Sequence, residues 1–212
     1  MRICPTTRRS GVVSIPPGMR SPVADLLADL ATALAAVRVE WLLFGAQAAI
    51  LYGVARLTAD VDVTARVPAT LSNGDLVEAL TRHGFRLRFD DPALADQSRV
   101  LPFVHEGSGL PVDVVLAGPG LEDEFLARAE RHDVDGVAVP VVNVSDLVVM
   151  KVLAGRPKDL EDVVMLLKVQ ADRIDRARVT TVLRLLESAL GQSDLIPLFE
   201  SAVARAAERG AR

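Results

Sequence analysis

The sequence is poor in several residue types, and each shortage excludes a class of protein. Cys4 is the only cysteine among 212 residues, which excludes an internal disulfide and suits a reducing compartment. No apolar run approaches the ~18 residues of a membrane-spanning helix. No apolar segment follows Arg8 and Arg9, as it would in a secretory leader. We therefore expect a cytoplasmic protein without a membrane partner.

Basic residues are also fewer than acidic residues. The formal net charge is −4, which argues against a broadly basic surface, so an RNA partner would have to meet a local basic patch. The three histidines lack the spacing of metal ligands, and no Ser/His/Asp set is recognisable. Hydrophobic residues make up 50% of the chain and aromatic residues only 4%, which predicts a globular protein with a core of Val, Leu and Ala.

The most informative stretch lies in the first third of the chain. The apolar run Trp41–Phe44 predicts a strand that is buried on both faces. Gly45 then permits a sharp turn, and the small residues 46–52 predict a short helix that Gly53 ends. A glycine turn between a strand and a helix presents backbone N–H groups, which bind phosphate oxygens well.

Carboxylates follow on two predicted strands. Side chains alternate along a strand, so on Ala59–Val63 the side chains of Asp60 and Asp62 would share one face. Asp113 is flanked by valines in the same way on a later strand, and carboxylates are rarely placed in such strands without a partner. We interpret the three as a site for divalent cations and a polyphosphate. The alternative, an alternating surface strand, is the commoner outcome for Asp-x-Asp alone.

These residues carry a resemblance to a known family. Gly45-Ala46, followed by Arg56-Leu-Thr58-Ala-Asp60-Val-Asp, resembles the signature of the DNA polymerase β-type nucleotidyltransferase superfamily. That signature is a G-[GS] turn, a short helix, and D-x-D on the next strand. The Arg-x-Thr before the carboxylates is similar to the branch that holds the AbiEii-type bacterial nucleotidyltransferase toxins.

The resemblance implies a role for each quoted residue. Asp60, Asp62 and Asp113 would be catalytic and would hold Mg²⁺ or Mn²⁺. Nucleotide would be bound by Gly45 and Ala46 through their backbone and by Arg56 and Thr58, although the latter two are equally suited to bracing the loop. Ala46 stands where the superfamily usually has Gly or Ser, so the hydroxyl that would reach a terminal phosphate is missing while the backbone N–H remains.

A second segment of resemblance begins at Asp146 and matches the family's K-x-x-A … R-x-x-[KR]-D-x-x-D pattern. It implies that Lys151 contacts the triphosphate and that Asp159 belongs to the nucleotide site, with Asp162 nearby as a support. From the residues alone, Lys151 is equally a lysine whose stem lies along an apolar helix. Acidic residues in a first helical turn are also favoured by the helix dipole without any ligand.

The order of predicted elements indicates an α+β fold. Residues 1–20 lack periodicity and would form a flexible arm with at most a short strand at Val12–Ile15. Residues 21–142 would form the nucleotidyltransferase core, a small mixed β-sheet flanked by helices, with a hairpin across Gly107–Gly109. Residues 143–212 would form a C-terminal helical bundle.

Three functions fit this sequence. The first is a metal-dependent nucleotidyltransferase that moves a nucleoside monophosphate from an NTP to an acceptor. The resemblance to the toxins implies an RNA acceptor, such as the 3′ end of tRNA, and a cognate antitoxin. The second is a small-molecule nucleotidyltransferase of the aminoglycoside-modifying kind, because an acidic protein binds a cationic substrate readily. The third is a degenerate nucleotide-binding regulatory module without turnover, to which Ala46 alone points.

Overall fold

The computed structural model describes residues 20–88 and 99–208, and in them the chain forms seven strands and eight helices. The strands are β1 (Glu40–Phe44), β2 (Val61–Arg66), β3 (Phe85–Leu87), β4 (Val100–His105), β5 (Pro111–Leu116), β6 (Glu130–Val134) and β7 (Val137–Val141). The helices are α1 (Pro22–Ala36), α2 (Gly45–Leu51), α3 (Asn73–Arg82), α4 (Leu121–Ala127), α5 (Val144–Ala154), α6 (Pro157–Val169), α7 (Arg176–Leu190) and α8 (Leu195–Glu208).

All seven strands belong to one mixed sheet, in the order β3-β4-β5-β2-β1-β7-β6. The pairs β1–β7 and β2–β5 are parallel, and the other four are antiparallel. Four helices, α5 to α8, follow the last strand. The predicted α+β fold with a mixed sheet is therefore confirmed. In the residues that the structure describes, no helix is both long and apolar enough to cross a membrane.

Local signals in the sequence account for most element boundaries. Ser21 caps α1 by accepting a hydrogen bond from the backbone N–H of Ala24, and Pro22 occupies the first helical position. Gly53 follows α2 with φ +92°, a conformation that glycine adopts without steric cost. The predicted flexible arm and its strand at Val12–Ile15 fall almost wholly outside the described residues, which begin at residue 20.

Strand β6 was not predicted, because its sequence Glu-Arg-His-Asp-Val reads as polar and charged. It lies at the edge of the sheet, where one side of the strand has no paired strand among the residues that the structure describes, so polar side chains are tolerated. Asp135 and Gly136 connect it to β7 with φ of +49° and +83°. Positive φ at both central residues is the two-residue hairpin geometry that suits twisted strands.

A single hydrophobic cluster joins the sheet to the C-terminal helices. Its buried members include Leu42 and Val63 of the sheet and Val148, Leu167 and Leu183 of the helices. A polar contact adds to this packing. Asp146, which is fully buried, accepts hydrogen bonds from Arg128 at 2.9 Å and from Arg178 at 2.8 Å. Residues on both sides of position 142 therefore share one core.

The β4–β5 hairpin, which carries Asp113, is held to α1 through a buried histidine. His105 contacts Ser108 Oγ through Nδ1 at 2.8 Å and Asp29 Oδ2 through Nε2 at 3.0 Å. Asp29 lies 76 residues before His105 in the sequence, which is why no Ser–His–Asp set was recognisable there. None of the cavities described below is lined by these three residues.

Candidate active site

Strand register brings two of the predicted carboxylates together. In the antiparallel pair β1–β2, Phe44 lies opposite Asp62, so the turn that follows β1 lies beside this carboxylate. In the parallel pair β2–β5, Asp62 lies in register with Asp113. Residues in register on neighbouring strands point to the same face of the sheet. The structure therefore places the two carboxylates side by side at the end of β1.

Asp60 also lies beside these two carboxylates, but the strand alternation that was predicted to orient it is not the reason. Strand β2 begins at Val61 rather than Ala59, so Asp60 lies in the loop before the strand, and strand alternation does not orient it. Its backbone N–H instead donates to Thr58 Oγ1 at 3.2 Å. This contact supports the interpretation of Thr58 as a brace for the loop.

A cleft of about 220 Å³ lies over these carboxylates. All nine residues that the sequence predicted for the site line it: Gly45, Ala46, Arg56, Thr58, Asp60, Asp62, Asp113, Lys151 and Asp159. Two further cations, Arg156 and Lys158, line it as well. They belong to the segment that resembles the family, but no role was assigned to them. Their position next to the matched lysine and aspartates was the signal that would have found them.

Gly45 permits the closest approach in the cleft. It has φ +69°, and a Cβ atom at this position would lie 2.1 Å from Asp62 Oδ2 and 2.9 Å from Asp62 Cγ. Real Cβ atoms do not approach other atoms so closely. Glycine is therefore required here both by the backbone conformation and by the carboxylate.

The pKa of Asp62 is raised above its ordinary value. Burial is the largest cause, and the negative charges of Asp113 and Asp60 add to it. The cations Arg156 and Lys151 oppose these effects but do not cancel them. A cluster of carboxylates that disfavours its own charge favours a bound cation, because the cation stabilises the ionised form.

A residue that the sequence did not reveal contacts the third carboxylate. Arg88, directly after β3, forms an ion pair with Asp113, and both side chains are partly exposed. The backbone N–H of Arg88 donates to Pro102 O at 2.8 Å, which fixes the start of this side chain next to β4. The pairing depends on the register of three strands, so no local pattern in the sequence predicts it.

Lys151 is buried in a network of ion pairs. Only 4% of its surface is exposed, and its ammonium group lies 2.6 Å from Asp162 Oδ2 and 3.4 Å from Asp159 Oδ1. Arg56 also pairs with Asp162, and Arg156 Nε donates to Asp159 at 2.5 Å. The five charges alternate in sign along the wall of the cleft. Asp159 and Asp162 thus lie close to Lys151, and their visible contacts are with cations.

Comparison with known proteins shows which family contains this chain. Residues 24–184 match the protein family described as nucleotidyltransferase of unknown function (DUF6036). The chain belongs to this nucleotidyltransferase family. No curated protein matches the sequence.

Solved structures of nucleotidyltransferases share the fold. A nucleotidyltransferase-like antigenic protein from Paracoccidioides brasiliensis superposes with a TM-score of 0.53 at 16% identity, over 87% of this chain and 93% of the other. The antibiotic-resistance factor ANT(2'')-Ia superposes with a TM-score of 0.55 at 15% identity, over 82% of this chain and 97% of the other. A second structure of ANT(2'')-Ia, in complex with adenylyl-2''-tobramycin, gives a TM-score of 0.55 at 14% identity, over 80% and 99% of the two chains.

The donor chemistry of the nucleotidyltransferase cleft fits divalent cations. Asp60, Asp62 and Asp113 offer only carboxylate oxygens, which are the ligands that hard cations prefer. Among residues 20–88 and 99–208, no three carboxylate, imidazole or thiol groups are already gathered at metal-binding distances. The ion pair between Arg88 and Asp113 offers a reason, because the guanidinium now occupies an oxygen that a cation would use.

A larger apolar pocket of about 400 Å³ adjoins the cleft of the nucleotidyltransferase. It lies between the end of β1, helix α4, helix α5 and helix α7, which contribute Phe44, Phe125, Met150 and Leu186 among others. The cleft and the pocket share five lining residues: Phe44, Gly45, Lys151, Arg156 and Asp159. The two cavities are therefore parts of one continuous depression.

Proposed function

We propose that this nucleotidyltransferase moves a nucleoside monophosphate from an NTP to RNA, with the 3′ end of tRNA as the acceptor. The observation that carries the proposal is the cluster of Asp60, Asp62 and Asp113 within one cleft that also contains cationic side chains. Carboxylates hold the cations that nucleotidyl transfer uses, and the basic groups suit a polyphosphate. The roles of the individual residues belong to this proposal.

Asp60, Asp62 and Asp113 would hold Mg²⁺, which when bound favours ionisation of the acceptor hydroxyl and balances charge on the departing pyrophosphate. Gly45 and Ala46 would present backbone N–H groups to phosphate oxygens beside Lys151. Arg156 and Lys158, which are exposed, would contact the phosphates directly. The buried Asp159 would position Lys151 and Arg156.

The reaction would be an in-line displacement at the α-phosphorus. The acceptor oxygen forms a bond to phosphorus while the bond from phosphorus to the α–β bridging oxygen breaks, and pyrophosphate leaves with that electron pair. Asp113 would accept the proton of the acceptor hydroxyl, because its side chain is 39% exposed and would be accessible once Arg88 has moved away. The cleft walls would hold the two reactants in line.

RNA is favoured as the acceptor by a small patch of cationic side chains that lines the cleft beside its four aspartates. Arg56, Arg156 and Lys158 line it, although the whole chain carries a net charge of −4. A patch of this kind attracts a phosphate backbone without a basic protein around it. The Arg-x-Thr-x-Asp-x-Asp resemblance supports the AbiEii-like branch, and with it a toxin role and a cognate antitoxin.

A small-molecule acceptor is the second candidate. It is favoured by the superposition on ANT(2'')-Ia, of which 99% is covered in the complex with adenylyl-2''-tobramycin. At 14% identity this likeness shows the fold alone. An acceptor of the aminoglycoside kind therefore rests on a shared scaffold.

A labelled-transfer assay tests the proposal. The protein is incubated with each α-labelled NTP, Mg²⁺ and one of three acceptors: purified tRNA, tRNA lacking its 3′ hydroxyl, or an aminoglycoside. We expect label only on intact tRNA, and none with Asp62→Asn. Asp172→Asn, an exposed carboxylate outside the cleft, is the matched control and should retain activity. Label on the aminoglycoside instead would support the second candidate.

Growth tests the toxin role separately. Expression of the wild-type protein in a bacterial host should arrest growth, and expression of Asp62→Asn should not. Co-expression of the gene that neighbours this one should relieve the arrest if it encodes the antitoxin. Unimpeded growth with active wild-type protein would remove the toxin role and leave the nucleotidyl transfer intact.

A further inference from the structure

The apolar pocket beside the cleft has a lining that is almost free of available polar groups. Its walls are formed mainly by aliphatic and aromatic side chains, with Phe44, Leu121, Phe125 and Met150 among them. Such a surface gains free energy by covering a planar or apolar ligand. It offers little to a polycationic sugar, which would leave hydrated ammonium groups against hydrocarbon.

The polar side chains at the rim of the pocket are already engaged with one another. Lys151 donates to Asp162 and Asp159, and Asp159 also accepts from Arg156. Glu122 Oε2 accepts from the backbone N–H of Gly118 and from Arg99 at 3.0 Å. Groups that satisfy each other are poorly suited to reading the hydrogen-bonding edge of a ligand.

We propose that this pocket holds the nucleoside of the NTP, and that it selects poorly among the four bases. The inference rests on the proposed function. The pocket shares Gly45, Lys151 and Arg156 with the cleft, so one ligand would place its phosphates in the cleft and its base in the pocket. A nucleoside has about 20 non-hydrogen atoms, a size that suits pockets of roughly 300–1,000 Å³. The volume of about 400 Å³ lies in that range.

If the nucleoside occupies the pocket, the acceptor would bind at the other side of the cleft. There the exposed Lys158 lines both the cleft and a shallow depression beside it, together with Arg56. Leu57, which is 98% exposed, borders that depression. The open side of the cleft leaves room for a bulky acceptor, while the apolar side suits a base.

Poor selection follows from the chemistry of the lining. A pocket that contacts a ligand through apolar surface separates similar ligands by about 10–200-fold, whereas a site built from hydrogen bonds separates them by about 10⁴–10⁵-fold. ATP, GTP, CTP and UTP differ mainly in the hydrogen-bonding edges of their bases. The affinities for the four NTPs should therefore lie within about 100-fold of one another.

Equilibrium binding to the wild-type protein is the first test. Non-hydrolysable analogues of the four NTPs and inorganic triphosphate are titrated in the presence of Mg²⁺. We expect each analogue to bind at least about tenfold more tightly than triphosphate, with a spread of less than about 100-fold among the bases. Equal affinity for triphosphate and the analogues, or a larger preference for one base, would overturn the inference.

Variants of two neighbouring leucines locate the base. Leu186 lines the pocket, whereas Leu185, on the same helix, is 64% exposed and does not line it. Leu186→Trp should weaken every NTP analogue by at least about tenfold and change triphosphate affinity by less than about twofold. Leu185→Trp, the matched control, should change neither. Unchanged analogue affinity in Leu186→Trp would overturn the inference, as would a loss of acceptor modification alone, since the acceptor would then occupy the pocket.

A separate variant guards against a folding defect. If Leu186→Trp also lowers triphosphate affinity, Leu153→Trp at the more exposed rim takes its place, with the same expected and contrary results. Failure of the inference is distinguishable from failure of the proposed function. Triphosphate that binds with Mg²⁺ in an Asp62-dependent manner, without any gain from the base, removes only the inference. Absence of any Asp62-dependent binding removes both.

Discussion

Asp62 lies so close to Gly45 that a Cβ atom on the glycine would be 2.1 Å from the carboxylate oxygen Oδ2. The contact joins the turn after β1 to the central strand of the carboxylate cluster. The carboxylate and the turn that would bind phosphate therefore cannot be altered independently. Any side chain at position 45 would displace the carboxylate, the turn, or both.

Gly45→Ala should abolish nucleotidyl transfer and lower the free energy of unfolding. The left-handed conformation costs a non-glycine residue about 1–2 kcal/mol, and the clash with Asp62 adds to this. Gly191→Ala is the matched control, because Gly191 has φ +67° but a Cβ atom there would meet nothing within 4 Å in the part of the chain that the structure describes. Urea denaturation and the transfer assay on both variants separate the two effects. Equal losses of stability and intact transfer in both would show that the Asp62 contact has no effect.

Asp62→Asn should stabilise the protein in the absence of metal while abolishing transfer. Burial raises the pKa of Asp62, so ionisation of this group destabilises the folded state. At about pH 3, below the ordinary carboxyl pKa, the group is protonated in both the folded and the unfolded state, and the variant should have no advantage. As the pH rises, the unfolded chain loses the proton first, and the advantage of the variant should appear and then level off above the raised pKa.

The measurement is thermal unfolding with a chelator present, from about pH 3 to about pH 8. Asp172→Asn is the control, since its side chain is exposed and lies outside the cleft. A variant that is less stable than the wild type throughout this range would contradict the assignment of a strained carboxylate. Added Mg²⁺ should stabilise the wild type and leave Asp62→Asn unchanged.

Lys151→Met and Lys158→Met should separate structure from ligand binding. Lys151 is buried between Asp159 and Asp162, and removal of one partner from a buried ion pair costs about 3–5 kcal/mol. Lys158 lines the same cleft, is exposed, and makes no ion pair with the part of the chain that the structure describes. Lys158→Met should therefore weaken NTP binding by about 1.5–3 kcal/mol without destabilising the fold.

Urea denaturation and NTP titration of both lysine variants provide the check. A stable Lys151→Met protein with weakened NTP binding would show that the ammonium group contacts the triphosphate more than it supports the wall of the cleft.

Arg88→Gln should raise the affinity for divalent cations. The guanidinium pairs with Asp113 at the place where a cation would bind, and both side chains are partly exposed. An exposed ion pair contributes about 0.2–1 kcal/mol, so we expect a gain of roughly 1.5- to 5-fold. Calorimetric titration with Mn²⁺ measures this, and the gain should diminish at high salt. Arg86→Gln, at an exposed arginine of β3 two residues before Arg88, should leave the affinity unchanged. An equal gain in both variants would indicate a general effect of net charge.

Ala46 provides a test of the backbone contacts. If the N–H groups of Gly45 and Ala46 bind phosphate without help from a side chain, Ala46→Ser should be tolerated and should tighten NTP binding by roughly 0.5–1.5 kcal/mol. Ala46→Val should reduce transfer, because a β-branched side chain is stiff and crowds the cleft. The transfer assay compares the three proteins. Activity in the serine variant alone would mean that alanine had silenced the site.

The parts of the site that depend on short stretches of sequence were predictable. The strand, glycine turn and helix around Gly45 follow from an apolar run and a residue without a side chain, both of which are local signals. Asp62 and Asp113 were recognisable because valines flank each of them. Flanking valines indicate that the carboxylate lies on a strand whose other face packs against the core. The predicted bounds of this strand and this helix, 41–44 and 46–52, lie within one residue of the observed ones.

The parts that depend on pairing between distant residues were not predictable. The contact between Arg88 and Asp113 needs the register of β3, β4 and β5, which no local pattern reveals. The burial of Lys151 depends on the angle at which α5 and α6 meet around Pro157. Strand β6 was not predicted, because an edge strand does not need the apolar alternation by which strands are recognised.

The buried Asp146 has a consequence for the stage of synthesis at which the fold is completed. Its two partners lie on either side of it in the chain, so during synthesis Arg128 emerges from the ribosome first and Arg178 last. A chain that has emerged only as far as Asp162 contains every residue of the cleft but only one of the two arginines that donate hydrogen bonds to this buried carboxylate. We expect the cleft of such a nascent chain to be incompletely folded. The enzyme would then acquire activity only near the end of its own translation.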